Sequence, residues 1–180
     1  AVGEPVDYVV ASHVIEHVPD LVGWLHALAG ALKRGGVLSL VVPDKRFTFD
    51  LRRSPSTIGE VVEAHLLGYR QPSIRQVVDH CFEGVIVDAG DAWARDMRGE
   101  ALPRIVGDIA LTLAYDQARG LVQGPRYIDS HCWVFTPQSF LRLLDLMAQL
   151  KLLPVQVASF TPTERGEFVG HPLIRRCGAL

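Results

Sequence analysis

The chain is poor in cysteine and has neither a basic run nor a long apolar run. Each shortage removes a class of function. Cys81, Cys132 and Cys177 are odd in number, far apart and without a C-x-x-C pair. That fits neither a disulfide framework nor a cysteine-built zinc site, and it points to a reducing, cytoplasmic setting. No apolar run approaches the roughly 18 residues of a membrane-spanning helix, and no signal-peptide pattern is present, so no membrane partner is expected. Lys and Arg number 18 against 20 Asp and Glu, a formal net charge of -2. A nucleic-acid footprint needs clustered basic side chains, so no nucleic-acid partner is expected either. What remains is ordinary for a globular chain: 180 residues, 48% hydrophobic and 21% charged. That length suits one domain, 1–180, with a sizeable core.

The order of elements begins clearly. Asp7-Tyr-Val-Val-Ala11 reads as a short strand buried on both faces. Asp20 is a helix N-cap after Pro19, and Leu21, Trp24, Leu25, Leu28 and Leu32 recur at helical spacing. Lys33 and Arg34 suit the helix C-terminus, and Gly35-Gly36 supplies the stop. Val37-Leu-Ser-Leu-Val-Val42 is a second buried strand, ended by Pro43-Asp44. Strand, helix and strand with tight connections imply a parallel pair with a right-handed crossover.

Residues 50–130 lose this rhythm and read as a helical insertion or lid. Thr57-x-x-Glu60 is a capping box, residues 72–80 are helical, and 91–119 are helical with a break at Pro103. Gly120 to Gly124 reads as a loop. The rhythm returns at Thr136-Pro137, a cap with proline at the first helical position. Phe140, Leu143, Leu144 and Met147 form its apolar stripe. Residues 154–160 and 167–175 form a terminal antiparallel pair. Pro172 is expected to place the last strand at an edge or irregular position.

Chemistry concentrates at His13-Val-Ile-Glu16-His17. On a helix, His13 and His17 would share one face, as in a two-histidine zinc site with Glu16 as general base. A zinc-dependent hydrolase is therefore one reading, with Glu63, Glu83 or Glu100 as the missing ligand. The context fits it poorly, because Pro19 follows two residues after His17. The plainer reading is a strand-to-helix turn whose polar groups cap and solvate. Ligands in open α/β sheets bind outside the carboxyl ends of the strands, which favours a site at this turn.

Asp7-x-Val-x-x-Ser-His-Val-Ile-Glu-His-Val-x-Asp20, a helix, and Leu32-Lys-Arg-Gly-Gly-Val-Leu-x-Leu-x-Val-Pro43 together resemble class I S-adenosylmethionine-dependent methyltransferases. Pro43-Asp-Lys-Arg-Phe-Thr-Phe-Asp50 and His131-Cys-Trp-Val-Phe-Thr-Pro137 extend the likeness, which covers residues 5–50 and 129–176. The resemblance implies an α/β fold with a Rossmann-like sheet, represented by its later strands only, and a C-terminal antiparallel strand pair. The family's G-x-G-x-G loop is absent, so the chain is expected to be a partial methyltransferase segment; a non-catalytic α/β module is a further alternative.

The implied activity is methyl transfer from S-adenosylmethionine to a small-molecule or saccharide acceptor. The resemblance places Ala11, Ser12, His13 and Val14 against the cofactor, and His13, His17 and His131 at the transfer site. Asp44, Lys45 and Arg46, just past the second strand, are candidates to orient a polar substrate, the alternative being a solvated loop. Some relatives, including ubiquinone-pathway and small-RNA methyltransferases, carry Glu-x-x-Glu-His here and bind a divalent metal. His13 replaces the first Glu, so no metal is assigned, and a His13, Glu16 and His17 set stays as the alternative. Asp50 and Arg53, three apart, read as a helix-surface ion pair. His26, His65 and His171 read as structural, and His80-Cys81 as possible lining of the lid, where Trp93 and Tyr115 are candidate substrate contacts.

Overall fold

A computed structural model describes residues 3–97, 101–124 and 126–177. β1 (Val6–Ser12) and β2 (Leu32–Pro43) run parallel and are joined by α1 (Leu21–Ala31). β3 (Val155–Thr161) and β4 (Val169–Arg176) pair antiparallel, and β4 also pairs antiparallel with β2. The sheet order is β1-β2-β4-β3. α6 (Pro137–Gln149) precedes the terminal hairpin.

α1 forms because its ends and one face are specified. The Asp20 carboxylate accepts the Gly23 N–H at 2.9 Å, satisfying one of the free donors of the first turn. Leu21, Leu25 and Leu32 are fully buried, and Trp24 and Leu28 pack beside them. They meet Leu38, Leu40 and Val42 of β2 and Phe140, Leu143, Leu144 and Met147 of α6 in one core. Burying each such side chain stabilises the fold by about 1.5–3 kcal/mol. α6 starts as its sequence indicates, with Thr136 accepting from the Ser139 N–H and Pro137 in the first turn.

The helix ends earlier than the charge pattern suggests. It stops at Ala31, so Lys33 and Arg34 lie in the extended lead-in to β2. Lys33 Nζ is 2.8 Å from Asp7 Oδ2 of β1, so its charge serves the strand pair and not the helix end. Gly35, at φ +78, lies where the β1–β2 register shifts between Val6–Leu32 and Tyr8–Val37, and a Cβ on Gly36 would stand 2.9 Å from the Lys33 carbonyl.

β1 is not buried on both faces. Val6, Val9 and Ala11 pack on the core, whereas Tyr8 and Val10 are 52% and 62% exposed. β1 has one neighbour in the sheet, and the core covers one of its faces. Pro172 does not sit on an edge strand, because β4 lies between β2 and β3. Its irregularity is internal: β2–β4 pairing lapses between Ser39–Leu173 and Val42–Gly170, and Pro172 falls in that gap. The missing N–H thus removes no ladder bond on that side.

The middle of the chain is helical: α2 (Ile58–Leu66), α3 (Ile74–Glu83), α4 (Ala89–Ala94) and α5 (Ala110–Gln123). Thr57 and Glu60 form the capping box, as do Ser73 and Gln76 ahead of α3. Residues 91–119 are not one broken helix, since α4 ends at Ala94 and α5 begins at Ala110. Gly120 to Gln123 are not a loop but the last turn of α5, whose Leu121 is buried and whose helix packs on α3.

Candidate active site

A cleft of about 380 Å³ opens where β1 and β2 end, a volume within the usual range for small-molecule sites. His13, Glu16, His17, Thr48 and His131 supply its polar side chains. Phe47, Phe49 and Phe168 form aromatic walls, and Val87 and Ala89 close one side ahead of and at the start of α4.

The first half of the site is set by the turn after β1. His13 takes a left-handed conformation, φ 52, which is uncommon without glycine and occurs often at functional turns. Its N–H donates to the Val41 carbonyl at 3.2 Å, tying the turn to β2. Ile15–His17 is then a single 3₁₀ turn that drives Ile15 and Glu16 inward. His13-x-x-Glu-His17 is therefore not helical, and the shared helix face on which the hydrolase reading depends does not form. Left-handed His13 on one side and Pro19 on the other leave room for one turn only.

The second half arrives from more than 110 residues downstream. The N–H groups of Cys132 and Trp133 both donate to the Glu16 carbonyl, at 2.6 and 3.2 Å. The Trp133 indole N–H donates to the Val18 carbonyl at 2.6 Å. This docking sets the His17 and His131 rings edge to face with centroids 4.7 Å apart. Glu16, His17 and His131 each bring one donor atom to within 4.8 Å of the others.

Both imidazoles are held by carboxylates. His17 Nδ1 lies 2.8 Å from Asp129 Oδ1, and His131 Nδ1 lies 2.6 Å from Asp50 Oδ2. Asp50 Oδ1 accepts from an Arg53 guanidinium nitrogen at 2.8 Å. The Asp50–Arg53 pair is thus buried, at 3% and 5% side-chain exposure, and not a surface pair. Burial alone would raise the Asp50 carboxyl, but the His131 hydrogen bond and the Arg53 charge outweigh it and hold it below the ordinary value. Asp50 was legible only as half of a local pair, because its main partner is 81 residues away.

His80 joins the same cluster. Its Nδ1 accepts the backbone N–H of His131 at 3.1 Å, which requires a neutral ring. Burial, with the nearby His131 and Arg53 charges, pushes His80 down to about 4. A base with a depressed folded pKa destabilises the fold as it is forced to take a proton. Stability should therefore fall as pH drops from about 6.5 towards 4, by up to roughly 3 kcal/mol from this group. Urea titrations across that window should show the slope, and His80→Gln should flatten it.

Glu16 is 1% exposed, and neither carboxylate oxygen has a hydrogen-bond partner among the described residues. His13 Nδ1 is 3.3 Å from Oε1, an ion-pair distance without hydrogen-bond alignment. Cys132 offers no nucleophile here, since burial pushes its thiol up to about 12.

The other candidates lie around the cleft. Ala11 is half-buried at the end of β1, and Ser12 and Val14 are exposed beside His13. Asp44 is buried, accepting from Arg46 and from the Thr163 hydroxyl. Lys45 is buried and donates to the Leu51 carbonyl. Asp44, Lys45 and Arg46 brace the loop that carries Phe47 and Phe49 and do not line the cleft themselves. Glu63 and Glu83 are on α2 and α3 outside the cleft, and Glu100 is outside the described residues. Trp93 stacks on Phe47 at 4.1 Å and donates its indole N–H to the Glu167 carbonyl at 2.7 Å, whereas Tyr115 is exposed on α5.

Two carboxylate-held imidazoles, a third imidazole at the mouth and a buried carboxylate suit binding a polar group and taking its proton. Comparison with curated proteins gives no match, and neither does comparison with solved structures. A family model described as a methyltransferase domain matches residues 3–152. That span holds β1, the turn, β2, the helical middle and His131, and the chain belongs to the class I S-adenosylmethionine-dependent methyltransferases.

Proposed function

We propose that this methyltransferase moves the methyl group of S-adenosylmethionine to a hydroxyl oxygen of a small-molecule or saccharide acceptor seated in the cleft. The observation that carries this reading is the meeting of His13, Glu16, His17 and His131 beyond the ends of two parallel strands. In a Rossmann-like sheet that is where cofactor and substrate converge. Ala11, Ser12, His13 and Val14 form the cofactor side, and the aromatic walls hold the acceptor. The three free cysteines fit a cytoplasmic enzyme.

Transfer needs the acceptor oxygen in line with the methyl carbon, and the protein contributes position first. The oxygen forms the new O–CH₃ bond as the S–CH₃ bond breaks. The sulfonium regains its electron pair as a neutral thioether, S-adenosylhomocysteine, and the hydroxyl proton passes to an imidazole of the cleft. Asp44 and Lys45 act at one remove, by fixing Phe47 and Phe49.

The test is methyl-labelled S-adenosylmethionine with the protein and a panel of saccharides and small hydroxylated metabolites. Label should pass to a hydroxyl of one class, and His17→Ala should lower the turnover. Transfer that is unchanged in His17→Ala would remove this cleft from the reaction.

A further inference from the structure

We infer that Glu16, His17 and His131 form a binding site for one divalent transition-metal ion. The inference rests on the cleft being the acceptor site, and it assigns the role of three of its five polar side chains.

Three independent features converge. The donor atoms lie within 4.8 Å of one another, a spacing that closes on an ion at bond lengths of about 2.0–2.2 Å with small side-chain rotations. Both histidines have Nδ1 committed to a carboxylate, Asp129 for His17 and Asp50 for His131. That fixes the tautomer and leaves each Nε2 as the free donor, the arrangement by which proteins orient metal-binding imidazoles. Glu16, finally, is buried with neither carboxylate oxygen hydrogen-bonded among the described residues, His13 Nδ1 at 3.3 Å being its ion-pair contact. A buried carboxylate without hydrogen bonds is costly, and a cation in the cluster removes that cost.

The fold does not assemble the His13, Glu16 and His17 set that the sequence suggests. His13 is left-handed at the cleft mouth, with a side chain 42% exposed, and His131 takes the third place. Two imidazoles and one carboxylate with open positions favour Mn²⁺ to Zn²⁺ over Mg²⁺ or Ca²⁺, which prefer oxygen ligands throughout. The open positions suit an acceptor oxygen, and His13 is left as the imidazole free to take its proton.

Co²⁺ titration of the 180-residue protein tests this, read by visible ligand-field absorption and bound metal per chain. One Co²⁺ per chain is expected, displaced by Zn²⁺. Glu16→Gln, which keeps the side-chain size, and His17→Ala should each abolish stoichiometric binding. Asp50→Asn should weaken it about 10–100-fold, and His13→Ala should leave metal binding unchanged. Thermal unfolding of each variant confirms that it folds. Absence of binding to the folded protein overturns the inference, and so does binding indifferent to both Glu16→Gln and His17→Ala. Methyl transfer by folded protein that binds no Co²⁺ would end this inference and leave the methyltransferase reading standing.

Discussion

Replacing His131 with alanine should slow methyl transfer by about 10²–10⁴-fold, roughly 3–5 kcal/mol on the barrier. The ring links the carboxylate of the buried Asp50–Arg53 pair to the cleft. Its loss removes a polar group from the acceptor site and leaves Asp50 with Arg53 alone. Asp50→Asn separates position from presence. The ring stays, but its carboxylate is gone, and turnover should fall by about 10–100-fold. The two variants should rank in that order in single-turnover measurements with unfolding monitored alongside. Equal activity in His131→Ala and the parent would place the chemistry elsewhere.

Trp133→Ala should cost about 3–5 kcal/mol of stability, the largest expected loss for a residue that does not line the cleft. Trp133 is 1% exposed in the main core. Its indole also satisfies the Val18 carbonyl, next to the turn that carries Glu16 and His17. Truncation therefore opens a cavity and leaves a carbonyl unpaired at the joint between the two halves of the site. Trp133→Phe keeps most of the volume and loses the hydrogen bond, so about 1–3 kcal/mol is expected. Urea unfolding midpoints at constant slope measure both. A loss under about 1 kcal/mol in Trp133→Ala would mean that the joint is not held there.

The sequence made local features legible. Caps at Asp20, Thr57 and Thr136, the apolar stripes of α1 and α6 and the parallel β1–β2 pair follow from short-range chemistry, and the structure has all of them. Several misreadings share one cause, which is contact between distant segments. Val10 looks buried from its neighbours in sequence, but the core covers only one face of β1. Lys33 looks like a helix terminus until Asp7 is found 2.8 Å away across 26 residues. Asp50 looks like a surface partner for Arg53 until the fold delivers His131.

The candidate site shows the same division. His13, Glu16 and His17 stand out because they are adjacent in the chain, and His131 because of the motif around it. The resemblance brings His13, His17 and His131 to one site, but that Glu16 and not His13 sits closest to His17 and His131 was not legible. The left-handed turn at His13, and the two N–H groups that dock residues 132–133 on the Glu16 carbonyl, decide which three side chains meet.

The central claim is that S-adenosylmethionine meets its acceptor at this cleft. Titrating ¹⁵N-labelled protein with S-adenosylhomocysteine while following the imidazole resonances tests it most directly, and works even for weak binding. The account predicts shifts at His13, His17 and His131, with His26, His65 and His171, which lie outside the cleft, unchanged. Shifts confined to those three outer histidines, or none at the cleft under saturating ligand, would contradict it.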